Sequence, residues 1–523
     1  MKHINIHALD SLRQLLLDPL TRPHWDQLHK QYINSNDLSF KTLVVEKICT
    51  QIPQTGLIGF YRGVFLAHIL DQEKWKRDAA IALLGLRPVN VDRIMAFLNF
   101  ENAVSIYEAN ANHGLNTRAE QLQFPQLLKL ATDAIKLKTK VELNLNSKRI
   151  AVYSMQINDG RHPPTTLLFD HAHLLKRLGY EVHVFSAQEL DIPQSSHYLS
   201  NSGYLVNWPF DSKLQHDAEF NQSLDVTITT SSLSLLTRYE QIISKMIEFS
   251  PSLIFFVGDS SPLIEFLFQI FPTLALNTNS NAPLGHSDLW LAANEKHLRT
   301  AQFTNTTAFH YPNRIKLPAQ AEGLKTKAPT SKVVLITVGS RLAVEIRDEW
   351  AKKMLALMES HPQLEWKLIG GQGVLPEVLA AANERITAIP FTPNVGEHLA
   401  TADIYVNPRR VGGGFSVAEA MAFSLPVLCY SETDGGDKLL EHAVDSDQAY
   451  FDLLTHLIHS HDDRIKFGAQ LKEMFDQNLS LSNAAPRLQL AIQQAKQNAL
   501  LRFSKNIDDG PSADAKGLDS PIS

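Results

Sequence analysis

Between Asn407 and Val427 the chain reads Asn-Pro-Arg-Arg-Val-Gly-Gly-Gly-Phe-Ser-Val-Ala-Glu-Ala-Met-Ala-Phe-Ser-Leu-Pro-Val. Arg409 and Arg410 precede three consecutive glycines, Gly412, Gly413 and Gly414, and Ser416 and Glu419 follow them. Short apolar runs at 404–406 and 427–430 predict strands on either side, with a helix opening after the glycines. Glycine lets backbone N–H groups approach an anion closely, and a helix start adds partial positive charge. Two cations for phosphates and a carboxylate for ribose hydroxyls suit a nucleoside diphosphate. Each residue also has a plainer reading. The glycines can form a tight turn, the arginines can form surface ion pairs, and Ser416 and Glu419 have the spacing of a capping box.

Other residues could join this set. The apolar run 332–338 predicts a strand, and Gly339, Ser340 and Arg341 follow it. Ligands of open α/β sheets lie beyond the carboxyl ends of strands, which is where Arg341 would stand. Asp434, Gly435 and Gly436 also follow a predicted strand, although Asp-Gly-Gly is ordinary turn chemistry. In the first half, Gly160-Arg-His162-Pro163 comes just after the predicted strand 149–155. A histidine there can titrate near neutral pH and serve an acceptor hydroxyl or amide, or remain a solvated loop side chain. Asp170, His171 and His173 have no distinctive spacing. No His, Cys, Asp or Glu cluster has the spacing of a metal site.

Elements must hold these residues in place. Residues 1–146 read as helical; Leu57, Phe60, Tyr61, Val64, Phe65 and His68 mark one helix face. Further helical patterns cover 12–20, 40–52, 79–86, 91–107 and 127–135. From 147 to 322 strands at 149–155, 181–185, 226–229, 253–257 and 273–276 alternate with helices, which implies a parallel sheet. Residues 318–330 read as a linker. A second α/β unit covers 331–482, with strands at 332–338, 366–369, 386–389, 404–406 and 427–430. A terminal helix is expected over 483–503 and a disordered tail over 504–523.

The chain of 523 residues is 44% hydrophobic with a net charge of −6. That length suits two or three domains, and no basic stripe argues for nucleic acid. Cys49 and Cys429 are too far apart to suggest a disulfide framework, which fits a reducing compartment. The start of the chain has no signal-peptide core, and no run nears the ~18 apolar residues of a membrane span. A cytoplasmic protein is expected, with peripheral membrane contact left open.

Residues 391–426 resemble the nucleotide-sugar signature of the GT-B fold glycosyltransferases. Glu419-Ala-Met-Ala followed by Pro426-Val is similar to their common motif, and Arg341 matches their diphosphate-binding basic position. Many retaining members carry a second Glu eight positions earlier, where this chain has Val411. A narrower likeness is to the O-GlcNAc transferase group and bacterial cytoplasmic protein glycosyltransferases. It rests on the helical N-terminal region, on His162-Pro163, and on Asn281-Ala-Pro-Leu-Gly-His286-Ser-Asp288.

The resemblance implies an α/β fold of two Rossmann-like domains facing a cleft, behind an all-α N-terminal domain that docks an acceptor or buttresses the core. It implies a hexosyltransferase that takes a nucleotide sugar, a UDP-sugar above all, to a protein or surface-glycan acceptor with no metal. Donor binding would fall to Gly339, Ser340, Arg341, Asn407, Arg409, Arg410, Gly412, Gly413, Gly414, Ser416, Glu419, Asp434, Gly435 and Gly436. Catalysis would fall to Arg341 and His162. The alternatives are a non-catalytic nucleotide-sugar binding protein and a GT-B fold epimerase. A nicotinamide oxidoreductase fits poorly, because the glycine loop lacks a third spaced glycine.

Overall fold

A computed structural model describes residues 6–70, 73–98, 124–136, 141–158, 163–191, 211–217, 222–230, 232–278, 284–293, 306–312, 314–316, 318, 321, 331–346, 348–371, 379, 384–410 and 412–508. Most of the expected linker, the last fifteen residues, 99–107 and 281–283 lie outside that set.

Helices make up most of the described residues of the first 146. They include Ile6–Leu17, Arg22–Asn34, Leu38–Gln51, Gly56–Leu70, Glu73–Leu84 and Phe124–Asp133. Asp37 opens the third by accepting from the N–H groups of Ser39 and Phe40 at 2.9 and 3.3 Å, which satisfies two donors no helical carbonyl can reach. Gly56–Leu70 is the central rod, with an unbroken run from Gly59 to Ala67 buried. A helix apolar all round belongs inside its bundle.

The first sheet has eight strands: β1 (Arg149–Ser154), β2 (Glu181–Ser186), β3 (Asp211–Asp217), β4 (Gln222–Ile228), β5 (Leu253–Val257), β6 (Thr273–Leu276), β7 (Leu289–Ala292) and β8 (Ala308–His310). Their order is β3-β4-β2-β1-β5-β6-β7-β8. All pairs are parallel except β3 with β4. Three of these strands, β3, β7 and β8, are absent from the sequence reading. β7 and β8 have four and three residues, no fewer than β6 and β12, which the sequence does announce, so length alone does not hide them. β3 (Asp-Ser-Lys-Leu-Gln-His-Asp) is polar in sequence and lies at the sheet edge, so no apolar run marks it.

The second sheet has five parallel strands: β9 (Val333–Val338), β10 (Leu364–Ile369), β11 (Ile386–Ile389), β12 (Ile404–Val406) and β13 (Val427–Leu428), in the order β11-β10-β9-β12-β13. Helices cover its faces, so the strands read as continuous apolar runs.

The packing joins the parts. One hydrophobic cluster runs from Leu12, Trp25, Phe60 and Phe65 through Leu127 into Tyr153, Leu235, Ile242, Phe256 and Leu263. The helical region and one face of the first sheet therefore share a core. A polar contact reinforces it: Asp92 accepts from the N–H of Leu235 at 3.0 Å and so caps the helix Leu235–Phe249. At the far end the helix Ala485–Asp508 returns to the other face of the first sheet, burying Leu488, Ala491, Ile492 and Ala495. Arg502 fixes it through a bidentate pair with Asp288 at 2.9 Å on each oxygen. Cys49 and Cys429 are both free. Among the described residues no helix is long and apolar enough to cross a membrane.

Candidate functional site

In the second sheet the chain runs outward through β10 and β11, then crosses back to β12 and β13. The strand order reverses between β9 and β12. A parallel sheet opens a crevice at the carboxyl ends of such a pair. Arg341 follows β9, and the glycine loop follows β12.

Arg410 joins the two strand ends. Its guanidinium donates from Nε to Asn407 Oδ1 at 2.9 Å, from Nη1 to Glu345 Oε2 at 2.9 Å and from Nη2 to the Val338 carbonyl at 2.8 Å. Its side chain is 2% exposed, as is that of Glu345. The neighbouring glycines make room for it. A Cβ on Gly339 would stand 2.2 Å from Arg410 Nη1, and one on Gly413 would stand 2.5 Å from Nη2. Those two glycines are therefore needed for packing against a buried cation as much as for backbone freedom. Asn407 is also interior: it accepts from Arg410 and donates to Cys429 Sγ at 3.2 Å. Both residues support the loop from below.

Arg341 has the opposite surroundings. Its Nε donates to Glu345 Oε1 at 3.0 Å, and the side chain is 34% exposed. A Cβ on Gly412 would come 3.1 Å from its Nη2, so this guanidinium abuts the glycine loop across the crevice. Glu345 thus holds Arg341 with one oxygen and Arg410 with the other. Two cations thus share one carboxylate. Arg409 turns elsewhere, stacking 4.2 Å above the Tyr430 ring and pairing with Glu432. Ser340 is exposed beside Arg341.

Gly412 and Gly413 have φ of +92° and +81°, conformations that L side chains rarely adopt. The helix Gly414–Ala422 then begins with Gly413 as its N-cap. The capping box expected from Ser416 and Glu419 does not form, because Ser416 already lies within the first turn. Its hydroxyl donates back to the Gly413 carbonyl at 3.0 Å and accepts from Tyr405 at 2.9 Å. The loop at Asp434–Gly436 packs against the glycine loop: a Cβ on Gly414 would lie 3.0 Å from the Asp434 carbonyl. Gly435 and Gly436 sit over Cys429 and Tyr430, where a Cβ would meet Sγ at 2.5 Å and a carbonyl oxygen at 2.2 Å.

Glu419 completes the set. It keeps partial exposure, and its carboxylate has no hydrogen-bond or ion-pair partner among the described residues. Protein nevertheless surrounds it closely, and that desolvation raises its carboxyl to about 7.

Sequence reasoning missed Glu345, whose only signal is its i,i+4 spacing from Arg341. It also missed Gly370 and Gly371 beyond β10. Gly370 has φ of +129°, and a Cβ there would stand 2.2 Å from the Gly339 carbonyl. His162 and Val411 lie outside the described residues. Among the described residues no group of three His, Cys, Asp or Glu side chains could hold a metal ion.

The loop faces the first α/β unit. Phe415, next to Gly414, packs against the cluster holding Leu276, Leu291 and Tyr311 as well as that of its own unit.

Comparison with known proteins adds the following. Residues 332–460 match the family described as glycosyl transferases group 1. No curated protein matches the sequence. Among solved structures the chain is similar to a mutant O-GlcNAc transferase of Thermobaculum terrenum at 12% identity and a TM-score of 0.54, covering 95% of this chain and 94% of that one. It is also similar to a glycosyltransferase from Rickettsia africae at 10% identity and a TM-score of 0.45, covering 70% and 100%. The first likeness spans the helical region and both α/β units, and the fold it shows is GT-B.

Proposed function

We propose that this chain, whose residues 332–460 match the group 1 glycosyl transferases and whose fold is GT-B, moves a sugar from a UDP-sugar to a protein or surface-glycan acceptor, in the cytoplasm and without a metal. The observation that carries this reading is the Arg341 guanidinium lying against Gly412 across the β9–β12 crevice.

The chemistry follows from charge. When the bond between the sugar and the diphosphate breaks, negative charge grows on the leaving phosphate oxygens. Arg341 and the unpaired N–H groups that open the helix Gly414–Ala422 are already oriented toward that charge. Preorganised donors of this kind dominate many rate accelerations, and losing one costs about 100- to 1,000-fold in rate. Arg410 is spent internally, so its part is to hold Gly339 and Gly413 in place. Ser340 and Asp434 flank the diphosphate, and Gly435 and Gly436 back the loop. The unpartnered Glu419 carboxylate accepts from the ribose hydroxyls. On the acceptor side the reading keeps His162, which the sequence puts just beyond β1, to orient the acceptor group.

Purified full-length protein incubated with UDP-glucose, UDP-galactose and UDP-N-acetylglucosamine tests the proposal. UDP release is expected from at least one donor and is expected to be unchanged by EDTA. Binding of UDP with no turnover of any donor would favour a non-catalytic binder, and epimerised donor without UDP release would favour an epimerase. Activity lost in EDTA and restored by Mn²⁺ would overturn metal independence.

A further inference from the structure

The first sheet has a switch point of its own. Its order reverses between β1 and β5, so a second crevice opens at their carboxyl ends. The polar residue that follows β5 there is Asp259. Its backbone is fixed on both sides: Gly258 N–H donates to the Leu276 carbonyl at 3.0 Å, and the Asp259 carbonyl accepts from Gly285 at 3.3 Å. Its carboxylate is held by one oxygen only. Oδ1 accepts from Asn277 Nδ2 at 3.3 Å and from the Leu284 N–H at 3.0 Å. Among the described residues no donor reaches Oδ2. Asp259 as a residue is half-buried.

We propose that Asp259 is the base that takes the acceptor's proton. The inference rests on the transfer reading above. In that step the acceptor oxygen or nitrogen forms a bond to the anomeric carbon. The bond from that carbon to the diphosphate oxygen breaks, and its electron pair leaves with the diphosphate. The acceptor proton moves to Asp259 Oδ2. Two anchored contacts on Oδ1 orient the carboxylate, and the open Oδ2 has room for one hydrogen bond to substrate.

Its basicity fits the task. Burial pushes the carboxyl up to about 6, against the pull of the Leu284 N–H and Asn277. Such a group is largely ionised at neutral pH yet basic enough to accept a proton. Two other carboxylates of this unit have partners of their own. Glu265 pairs with His286 at 2.7 Å. Glu189 is fully buried and accepts from Tyr153 and from Ser261. The competing role for Asp259 is mechanical, as a pin for the segment that follows β6.

The test uses full-length Asp259→Asn and Asp259→Ala with UDP-glucose and UDP-N-acetylglucosamine as donors and water as the acceptor. UDP affinity, measured by calorimetry, should stay within about twofold of wild type. UDP release should fall about 100-fold or more in both variants, the usual worth of a general base. Sodium formate should restore part of the rate in Asp259→Ala and none in Asp259→Asn, and the wild-type acid limb near pH 6 should vanish. Asp259→Asn turning over within fivefold of wild type would overturn the proposal. So would a loss that formate leaves untouched in a normally folded Asp259→Ala. A wild type that neither binds UDP nor releases it would instead remove the transfer reading itself.

Discussion

Arg341 and Arg410 both stand just beyond a strand of the same sheet, and the fold uses them oppositely. Arg410 has every nitrogen spent on Asn407, Glu345 or the Val338 carbonyl, whereas Arg341 keeps one end toward the glycine loop. Sequence could not separate them, because burial depends on Glu345 arriving from the other side of the crevice. Removing that carboxylate leaves a buried cation unpaired, which costs about 3–5 kcal/mol. Glu345→Gln should therefore lower the thermal midpoint by several degrees, and a midpoint unchanged from wild type would show that the pair is not the clamp described. Glu419 makes a prediction in pH. Its carboxyl is raised to about 7, so below that value the free protein holds it protonated. Accepting from ribose hydroxyls favours the ionised form, so a proton must leave on binding. Affinity for UDP-glucose, whose diphosphate does not titrate near neutrality, should rise with pH up to about 7 and flatten above it. The slope should disappear in Glu419→Gln; a slope that persists there would assign the proton to another group.

Among the elements, the glycine loop was legible as a turn before a helix and as an anion site. Why each glycine is needed was not, since Gly339 is closed to larger side chains by the Arg410 guanidinium, distant in sequence, and Gly413 by the same guanidinium once Glu345 holds it. Gly413→Ala combines φ of +81° with a Cβ 2.5 Å from Arg410 Nη2. It should weaken UDP binding about tenfold or more while the rest of the fold survives. Unchanged affinity, measured by calorimetry, would mean the loop does not shape the site. Apolar runs such as 253–257 and 404–406 announced their strands, because a buried parallel strand must be apolar throughout. The polar edge strand β3 carried no such signal, whereas β7, apolar throughout, carried it and went unread. The helix start after the glycines was legible, and the capping-box spacing of Ser416 and Glu419, one of two roles open to Glu419, falls inside the first turn.

For the molecule as a whole, the alternation of strands and helices foretold two α/β units behind a helical region, and the GT-B fold follows it. What sequence left open was whether the helical region is an appendage. It shares one hydrophobic cluster with the first sheet, and Asp92 caps a helix of that unit. Deleting residues 1–146 should therefore expose apolar core and give aggregated protein. A soluble, monomeric truncation with native melting behaviour would contradict that dependence. The whole account depends on the β9–β12 crevice gripping a nucleoside diphosphate. Calorimetric titration of UDP into the full-length wild type and Arg341→Ala measures this most directly. The account predicts saturable wild-type binding and a loss of at least about tenfold in affinity, about 1.4 kcal/mol, in the variant; a wild type with no affinity for UDP, or a variant that binds it equally well, would contradict it.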